Sequence, residues 1–537
     1  MGIPGFFSNI IKNYGSIIKS LTYHRSSATG FHSLYMDCNS IIYDSYYQLA
    51  KLYSGDSKTF ESTLIMQVII KIEEYIQKIK PTSTLFIAFD GVAPFAKMDQ
   101  QRTRRYKSWY NTTLNILPEN GGGFKWDTAA ITPGTSFMAA LSDAVSGRFS
   151  NAELKYNVNK IVVSCSDEAG EGEHKMFQYI RKNRHLEENV LVYGLDADLI
   201  MLSIFHCNLC KNIYVFREAP EFLKSRVIED VAANELLFMD IRLLNDAIVK
   251  EMDCAYNDSH RIYDYVFLCL FLGNDFLPHF PALNIRTSGI QILLDTYRSK
   301  MGGHHDRFFI SKKTFKIQWK WLFLFVKELA AGEHEYILRE YVVRNKMEHY
   351  QWAQTTPEEK EKMLANAPII YRIEEKYICP EENEWEHRYY KSLFPHSPNY
   401  NTKTISHNYL EGLEWVFKYY TVGCPDWKWK YNYSYPPLLK DLVKYIPQQE
   451  MNFIFSDSVF NRPFLPAVQL AYVLPPAYHF LMNERAKDFL KKEYERYYPA
   501  EFRFQWAFCR YFWEAHVILP DIPIEVLEKW NRDEKFM

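Results

Sequence analysis

A parallel-sheet α/β fold is predicted over the first 300 residues. The chain there alternates short β-rich runs with helix-like stretches, and three of the runs end in an aspartate. The runs are residues 33–36, 85–89, 160–164, 190–193 and 212–216, each rich in β-branched or aromatic residues. After residue 300 the pattern changes to long helix-like segments, 319–331 and 357–365, broken by a charged loop over 374–387. We read 301–405 as a mostly helical connector. Residues 406–498 form a second region, aromatic-rich and punctuated by proline to about Pro476, and 499–537 read as a helical tail. No repeat of fixed period is present.

At 537 residues the chain can bury a large core. It holds 63 Lys and Arg against 65 Asp and Glu, so its net charge of -2 gives no whole-chain attraction to nucleic acid or membrane. Any basic site must be local. Aromatic residues make up 16% of the chain, more than a core obviously needs. Nine scattered cysteines fit a reducing compartment rather than a disulfide scaffold. His206, Cys207 and Cys210 suggest half a zinc knuckle, but no second close pair follows. MGIPGFF lacks the form of a targeting peptide, and the longest apolar run, Tyr265 to Leu272, is far short of the ~18 residues of a membrane span. A soluble, unsecreted protein is expected, cytoplasmic or alternatively nuclear, without membrane association.

In open α/β sheets ligands bind outside the carboxyl ends of the strands. LYMD ends there at Asp37, LFIAFD at Asp90 and LVYGLD at Asp196, with Asp198 two residues on. KIVVS leads into EAGEGEHK, which carries Glu171 and Glu173 into a turn or first helical turn, and a helix VFLCLFLGNDFLPH carries Asp275. Any one of these would pass for a helix cap or turn aspartate. Seven together would not, because like charges ~4 Å apart cost about 4 kcal/mol per pair at an effective dielectric near 20. Such a cluster needs cations, and oxygen-only ligands favour Mg²⁺ or Mn²⁺ over zinc. Two ions would activate a water and stabilise the leaving oxygen of a phosphoryl displacement. The carboxylates point to a metal-dependent phosphodiesterase.

Beyond Asp90, Pro94 is placed to open a helix with Lys97, Gln101, Arg104 and Arg105 on one face. A basic helix face is usually only solvated. Close to candidate metal ligands, its guanidinium forks suit a terminal phosphate, which predicts a 5′-monophosphate pocket. In DWKWKYNYSYPP, Trp427, Trp429, Tyr431, Tyr433 and Tyr435 alternate with polar residues. An extended segment would put all five rings on one face, either as the core side of a hairpin or as a platform for stacked bases.

The chain resembles the Xrn-type 5′→3′ exoribonucleases. The resemblance is carried in order by MGIPGFF, MDCNSIIY, FDGVAPFAKMDQQRTRRYKS, ITPGTSFM, EAGEGEHKMFQYIR, YGLDADLIML, FLCLFLGNDFLPHFPALNI, HRYYKSLF, YLEGLEWVFKYYTVGCPDWKWKYNYSYPP and PAVQLAYVLPPA. It implies a parallel-sheet nuclease core of the PIN-like, flap-nuclease type, with the seven carboxylates as ligands of two Mg²⁺ or Mn²⁺ ions. It makes Lys97, Gln101, Arg104 and Arg105 the pocket for the 5′-phosphate. It also implies a base-stacking tryptophan, Trp427 or Trp429. The expected activity is processive release of nucleoside 5′-monophosphates from single-stranded RNA bearing a 5′-monophosphate. A monomer acting in RNA degradation and mRNA decay, downstream of decapping or endonucleolytic cleavage, is expected.

There are departures from the family pattern. Tyr43 stands where a histidine is usual against the first base, and Ala169 replaces the proline of PGEGEHK. The match runs close to the last residue, so a compact form without a long C-terminal extension is expected. A flap-type DNA nuclease would carry a Gly-rich helix-hairpin-helix after the last aspartate, where this chain reads FLPHFPALNIRTSGI. A catalytically inactive RNA-binding relative would have lost carboxylates, and all seven are present.

Overall fold

The computed structural model describes residues 2–26, 30–113, 126–194, 196–218, 235–394, 401–455 and 461–537. The elements that position the site are the helices α1 (Phe6–Tyr14), α2 (Phe95–Thr113), α3 (Gly172–Asn183), α4 (Asp198–His206), α5 (Arg261–Cys269), α6 (Trp319–Glu348), α7 (Thr402–Thr421) and α8 (Pro466–Val473). The strands are β1 (Ile18–Ser20), β2 (Ser33–Asp37), β3 (Thr84–Ala88), β4 (Lys160–Ser164), β5 (His185–Tyr193), β6 (Cys210–Glu218), β7 (Leu236–Asp240), β8 (Arg503–Gln505) and β9 (His516–Ile518).

All five expected strands form, and they are the parallel centre of a seven-stranded sheet ordered β1-β7-β6-β5-β2-β3-β4. Two further strands escape the sequence reading: β7 runs antiparallel to β6, and β1 antiparallel to β7. From β2 the chain winds outward through β3 to β4, then returns to β5 on the other flank. The crevice between β2 and β5 is therefore the topological switch point, where open α/β sheets bind ligands.

Side chains alternate between the sheet faces, as the pleat requires. Leu34, Met36, Leu85, Ile87, Leu191 and Tyr193 enter one core, while Tyr35, Phe86, Val190 and Val192 enter the other. The second core continues without a break into Phe325 of α6, Trp415 of α7, Trp429 and Phe508, so it crosses the expected divisions at 300 and 405. A third core packs α2 against α8 and the C-terminal residues Leu527 and Trp530.

Three expectations need correction. The first helix of the connector runs thirty residues, to Glu348, because Gly332 does not stop it. An interior glycine costs only about 1 kcal/mol, well within what the buried face of a long helix offsets. The charged loop at 374–387 is largely helical, lying in Ile373–Ile378 and the start of Trp385–Leu393, with Glu375 buried between Arg344 and Arg372. The tail is not all helix: β8 and β9 pair antiparallel, and three-residue strands leave no readable alternation. Among the described residues no helix is long and apolar enough to cross a membrane.

Candidate active site

The carboxyl ends of β2, β3 and β5 deliver Asp37, Asp90 and Asp196 to one edge of the sheet. Glu171 immediately precedes α3, Glu173 sits in its first turn, and Asp198 opens α4. Asp275 lies in a loop rather than on the expected helix. Gly273 stops the helical path at φ +83°, where a Cβ would come 2.7 Å from the backbone nitrogen of His279.

All seven carboxylates belong to one electrostatic cluster. Burial, then the charges of Asp90 and Asp196, push Asp37 well above the ordinary carboxylate range. Burial and Asp198 do the same to Glu173. Burial and Glu171 raise Asp90 to about 6. Asp198 rises to about 7, mainly through burial, with Asp275 and Asp196 adding to it. Asp275 goes the other way: burial would raise it, but the Lys97 ammonium 2.9 Å away holds it down. Lys97 also pairs with Glu171 and is itself raised by these partners against the effect of burial.

Groups missed in the sequence hold the carboxylates in place. Asn39 donates its side-chain amide to Asp90 and accepts the Asp90 backbone N–H at 3.1 Å, while the Gly172 N–H donates to Asp90 Oδ1 at 2.7 Å. The Tyr419 hydroxyl, from α7, donates to Glu171 Oε1 at 2.6 Å, and its ring stacks on His174 with centroids 3.6 Å apart. Lys175 ties the loops beyond β3 and β4 together through the carbonyls of Phe89 (2.9 Å) and Cys165 (2.7 Å). Gly2 packs so closely on the cluster that a Cβ there would sit 1.9 Å from Asp198 Oδ1. Local pattern does not mark these residues, since a hydroxyl on a distant helix has no spacing to read.

The donor set fits a hard divalent cation. Among the described residues Glu173 Oε2 and Asp198 Oδ1 are buried without a hydrogen-bond partner, a costly state for a carboxylate oxygen that a cation would relieve. Glu171, Glu173 and His174 each offer a ligand atom within 4.8 Å of the others. His174 adds a nitrogen donor to a set expected to be oxygen only. Burial, then Lys97, push its imidazole well below its ordinary range, so it is neutral and able to ligate.

The four residues of the basic face diverge. Lys97 turns into the carboxylates. Arg105 donates to the carbonyl of Ile131 at 3.0 Å and to Thr132 Oγ1 at 2.7 Å. Gln101 accepts from Gln469 of α8 at 3.3 Å, and Arg104 is exposed. Gln469 also accepts the Ala93 N–H at 2.8 Å, which fixes the entry to α2. Gln469 lies in PAVQLAYVLPPA, where no spacing marks it as a support for α2.

Two family descriptions match this chain: the XRN 5′-3′ exonuclease N-terminus over residues 1–219, and the Xrn1 helical domain over 255–380 and 381–532. The chain belongs to the XRN 5′-3′ exonuclease family. It is similar to 5′-3′ exoribonuclease 1 of Saccharomyces cerevisiae, at 27% identity over 97% of this chain and 42% of the yeast protein. It is also similar to the 5′-3′ exoribonuclease 2 homolog of Drosophila melanogaster, at 25% identity over 97% of this chain and 69% of the fly protein. Human 5′-3′ exoribonuclease 1 is 27% identical over the whole of this chain and 34% of the human protein. The chain thus spans less than half of the yeast and human relatives.

Within this XRN-family chain the aromatic stripe is mostly core, the first of the two alternatives its alternation left open. Trp429 is only 8% exposed, stacks on Trp415 at 5.3 Å and donates to Glu411. Tyr431 and Tyr435 are buried as well. On the opposite face Lys428 pairs with Glu528, and Lys430 with Asp99 and Asp521. Trp427 alone of the tryptophan pair is half-buried, with its carbonyl accepting the Phe95 N–H at 2.9 Å, so it sits beside the start of α2. Tyr43 is half-buried on the opposite sheet core, and no ring contact joins it to either tryptophan among the described residues. The zinc suggestion does not hold. Among the described residues His206, Cys207 and Cys210 do not bring ligand atoms together as a group, and His206 is engaged by Arg181 and the carbonyl of Leu202.

Proposed function

We propose that the protein degrades 5′-monophosphorylated single-stranded RNA from its 5′ end, releasing nucleoside 5′-monophosphates. The observation that carries this reading is the meeting, through Lys97, of a seven-carboxylate cluster with a basic helix. The carboxylates would hold Mg²⁺ or Mn²⁺, and two ions are what the number of ligands suggests. A divalent ion bound there would supply an activated water and stabilise the leaving oxygen.

The chain's own residues do the rest. Glu171, fixed by Tyr419, and Asp90, fixed by Asn39 and the Gly172 N–H, keep their oxygens aimed without reorganisation. Lys97 neutralises Glu171 and Asp275 at the boundary with the phosphate pocket. Arg105 is pre-oriented by Thr132, and Arg104 is free to swing onto a terminal phosphate. Such a pocket would select for one phosphate, and the enzyme would then act after a decapping or cleavage step. The relatives named as exoribonucleases support the same reading.

The test is a Mg²⁺-dependent assay on RNA and DNA single strands carrying a 5′-phosphate, 5′-hydroxyl or cap. Hydrolysis of 5′-phosphorylated RNA is expected, with the phosphate preference erased by Arg104→Ala with Arg105→Ala. Activity that persists in EDTA, or a phosphate preference that survives the double substitution, would overturn it.

A further inference from the structure

A cavity of about 720 Å³ opens on the flank of α2 away from Gln101 and Arg105. Its walls include Gly2 and Asp275, so its inner end adjoins the acidic cluster, and it extends past Thr103, Lys107 and Arg286 to the β8–β9 pair. That volume is in the range of small-ligand sites.

The charges of this cavity are not balanced. Every carboxylate lining it already has a cation: Asp275 has Lys97 at 2.9 Å, Asp99 and Asp521 have Lys430 at 3.2 and 2.9 Å, and Glu514 has Arg286 at 2.5 Å. Arg102, Arg104 and Lys107 also line it, and among the described residues none has a carboxylate within ion-pair distance; Arg102 is buried and turned to the carbonyls of Pro520 and Tyr497, which leaves Arg104 and Lys107. Among the described residues Lys107 donates only to the carbonyls of Trp513 at 2.6 Å and Ala515 at 2.9 Å. Burial pushes its ammonium down to about 8 and the neighbouring Arg104 adds to this, against the smaller opposing effects of Cys509 and Glu514.

A second observation is independent of charge. Asn274 lines the same cavity, and its Oδ1 accepts the N–H groups of Phe276 and Leu277, each at 2.9 Å. Those two bonds fix which end of the amide is oxygen. Its Nδ2 is then a genuine donor, buried and, among the described residues, without a partner. Two unmatched cations and an orphaned N–H donor make a site for an oxyanion.

We propose that this cavity binds the mononucleotide product. A released nucleoside 5′-monophosphate would place its phosphate against Arg104, Lys107 and Asn274, with Tyr433 and the 44% exposed Trp513 as ring surfaces for its base. Arg104 sits between the two flanks of α2. A phosphate held by Arg105 and Arg104 before cleavage can therefore stay on Arg104 as it passes to Lys107. The assignment of the ligand as product rests on the proposed nuclease reading.

The test is calorimetric binding of AMP, adenosine and inorganic phosphate to EDTA-treated protein, followed by AMP inhibition of the Mg²⁺-dependent reaction. AMP should bind more tightly than phosphate, and adenosine hardly at all. Lys107→Met should weaken AMP roughly tenfold or more and relieve AMP inhibition in proportion, leaving the initial rate at low product unchanged. Because Lys107 also bridges to β8–β9, Thr103→Glu gives a second reading. It puts a carboxylate in the cavity while keeping Lys107, and should weaken AMP equally. AMP binding that survives both variants but is lost in Arg105→Gln would place the nucleotide in the substrate pocket and overturn the proposal. Equal affinity for phosphate and AMP would overturn the nucleotide assignment. Absence of hydrolysis would refute the nuclease reading alone, since binding at Lys107 is measured without turnover.

Discussion

Tyr419 links the second region to the acidic cluster through a single hydroxyl. Its bond to Glu171 is short and fully buried, and its ring stays packed against His174 and Trp415 whether or not the hydroxyl is present. Tyr419→Phe should therefore fold normally yet leave Glu171 free to drift toward Lys97. Partners of this kind are worth about 10–100-fold in metal affinity. The Mg²⁺ concentration for half-maximal hydrolysis is expected to rise by that factor with the thermal midpoint unchanged, and an unaltered Mg²⁺ titration would show that the bond does not orient a ligand. Single residues of the cluster were legible because of where strands end, but that signal has a decoy. LYMD and LLFMD look alike, yet Asp37 joins the cluster while Asp240 caps a helix by accepting the Leu243 N–H at 3.0 Å. The difference is strand direction: β7 runs antiparallel and ends at the opposite edge. Direction is a property of the sheet, so no local pattern could separate the two aspartates.

At the scale of elements, the 427–435 segment separates what periodicity can show from what it cannot. Alternation fixed which side chains share a face, and the structure keeps that: the lysines face carboxylates and the rings face inward. Alternation says nothing about what covers the face, and α7 with Leu277 covers Trp429. The two tryptophans should then behave differently. Trp429→Ala empties a buried site and should cost about 3–5 kcal/mol of stability. Trp427→Ala should leave the fold intact and weaken RNA retention about tenfold or somewhat more, at ~1 to 3 kcal/mol per stacked base. With a heparin trap present, the Trp427 variant should yield a ladder of shortened RNAs in place of complete degradation. A ladder identical to that of the unaltered protein, from a variant with native circular dichroism, would assign Trp427 to structure and leave translocation to other groups.

Over the whole molecule, a net charge of -2 conceals two strong local fields, one negative at the switch point and one positive along α2. Composition could only say that any charged site was local, whereas the order of the strands makes the carboxylates meet. That convergence has a cost visible in stability. Asp37, Asp90, Glu173 and Asp198 all titrate above their ordinary range, so without metal the folded chain retains protons that the unfolded chain has already released. Where the native state binds more protons, stability falls as pH rises, here from about 4 in the unfolded chain through about 6 for Asp90 and about 7 for Asp198. Asp275 has the opposite sign, with its contribution present above about pH 4 and lost only in stronger acid, so it is constant over the neutral range. A divalent ion replaces the retained protons and competes with them. EDTA-treated protein should therefore melt lower at pH 8 than at pH 6 as far as this cluster is concerned, and saturating Mg²⁺ should raise the midpoint more at pH 8. At a hundredfold excess over its Kd the ion contributes about 2.7 kcal/mol. The difference between melts with and without Mg²⁺ isolates the cluster from every other titrating group. A Mg²⁺ effect equal at the two pH values, or larger at pH 6, would mean that the ion does not displace protons from these carboxylates and that their convergence serves some other cation.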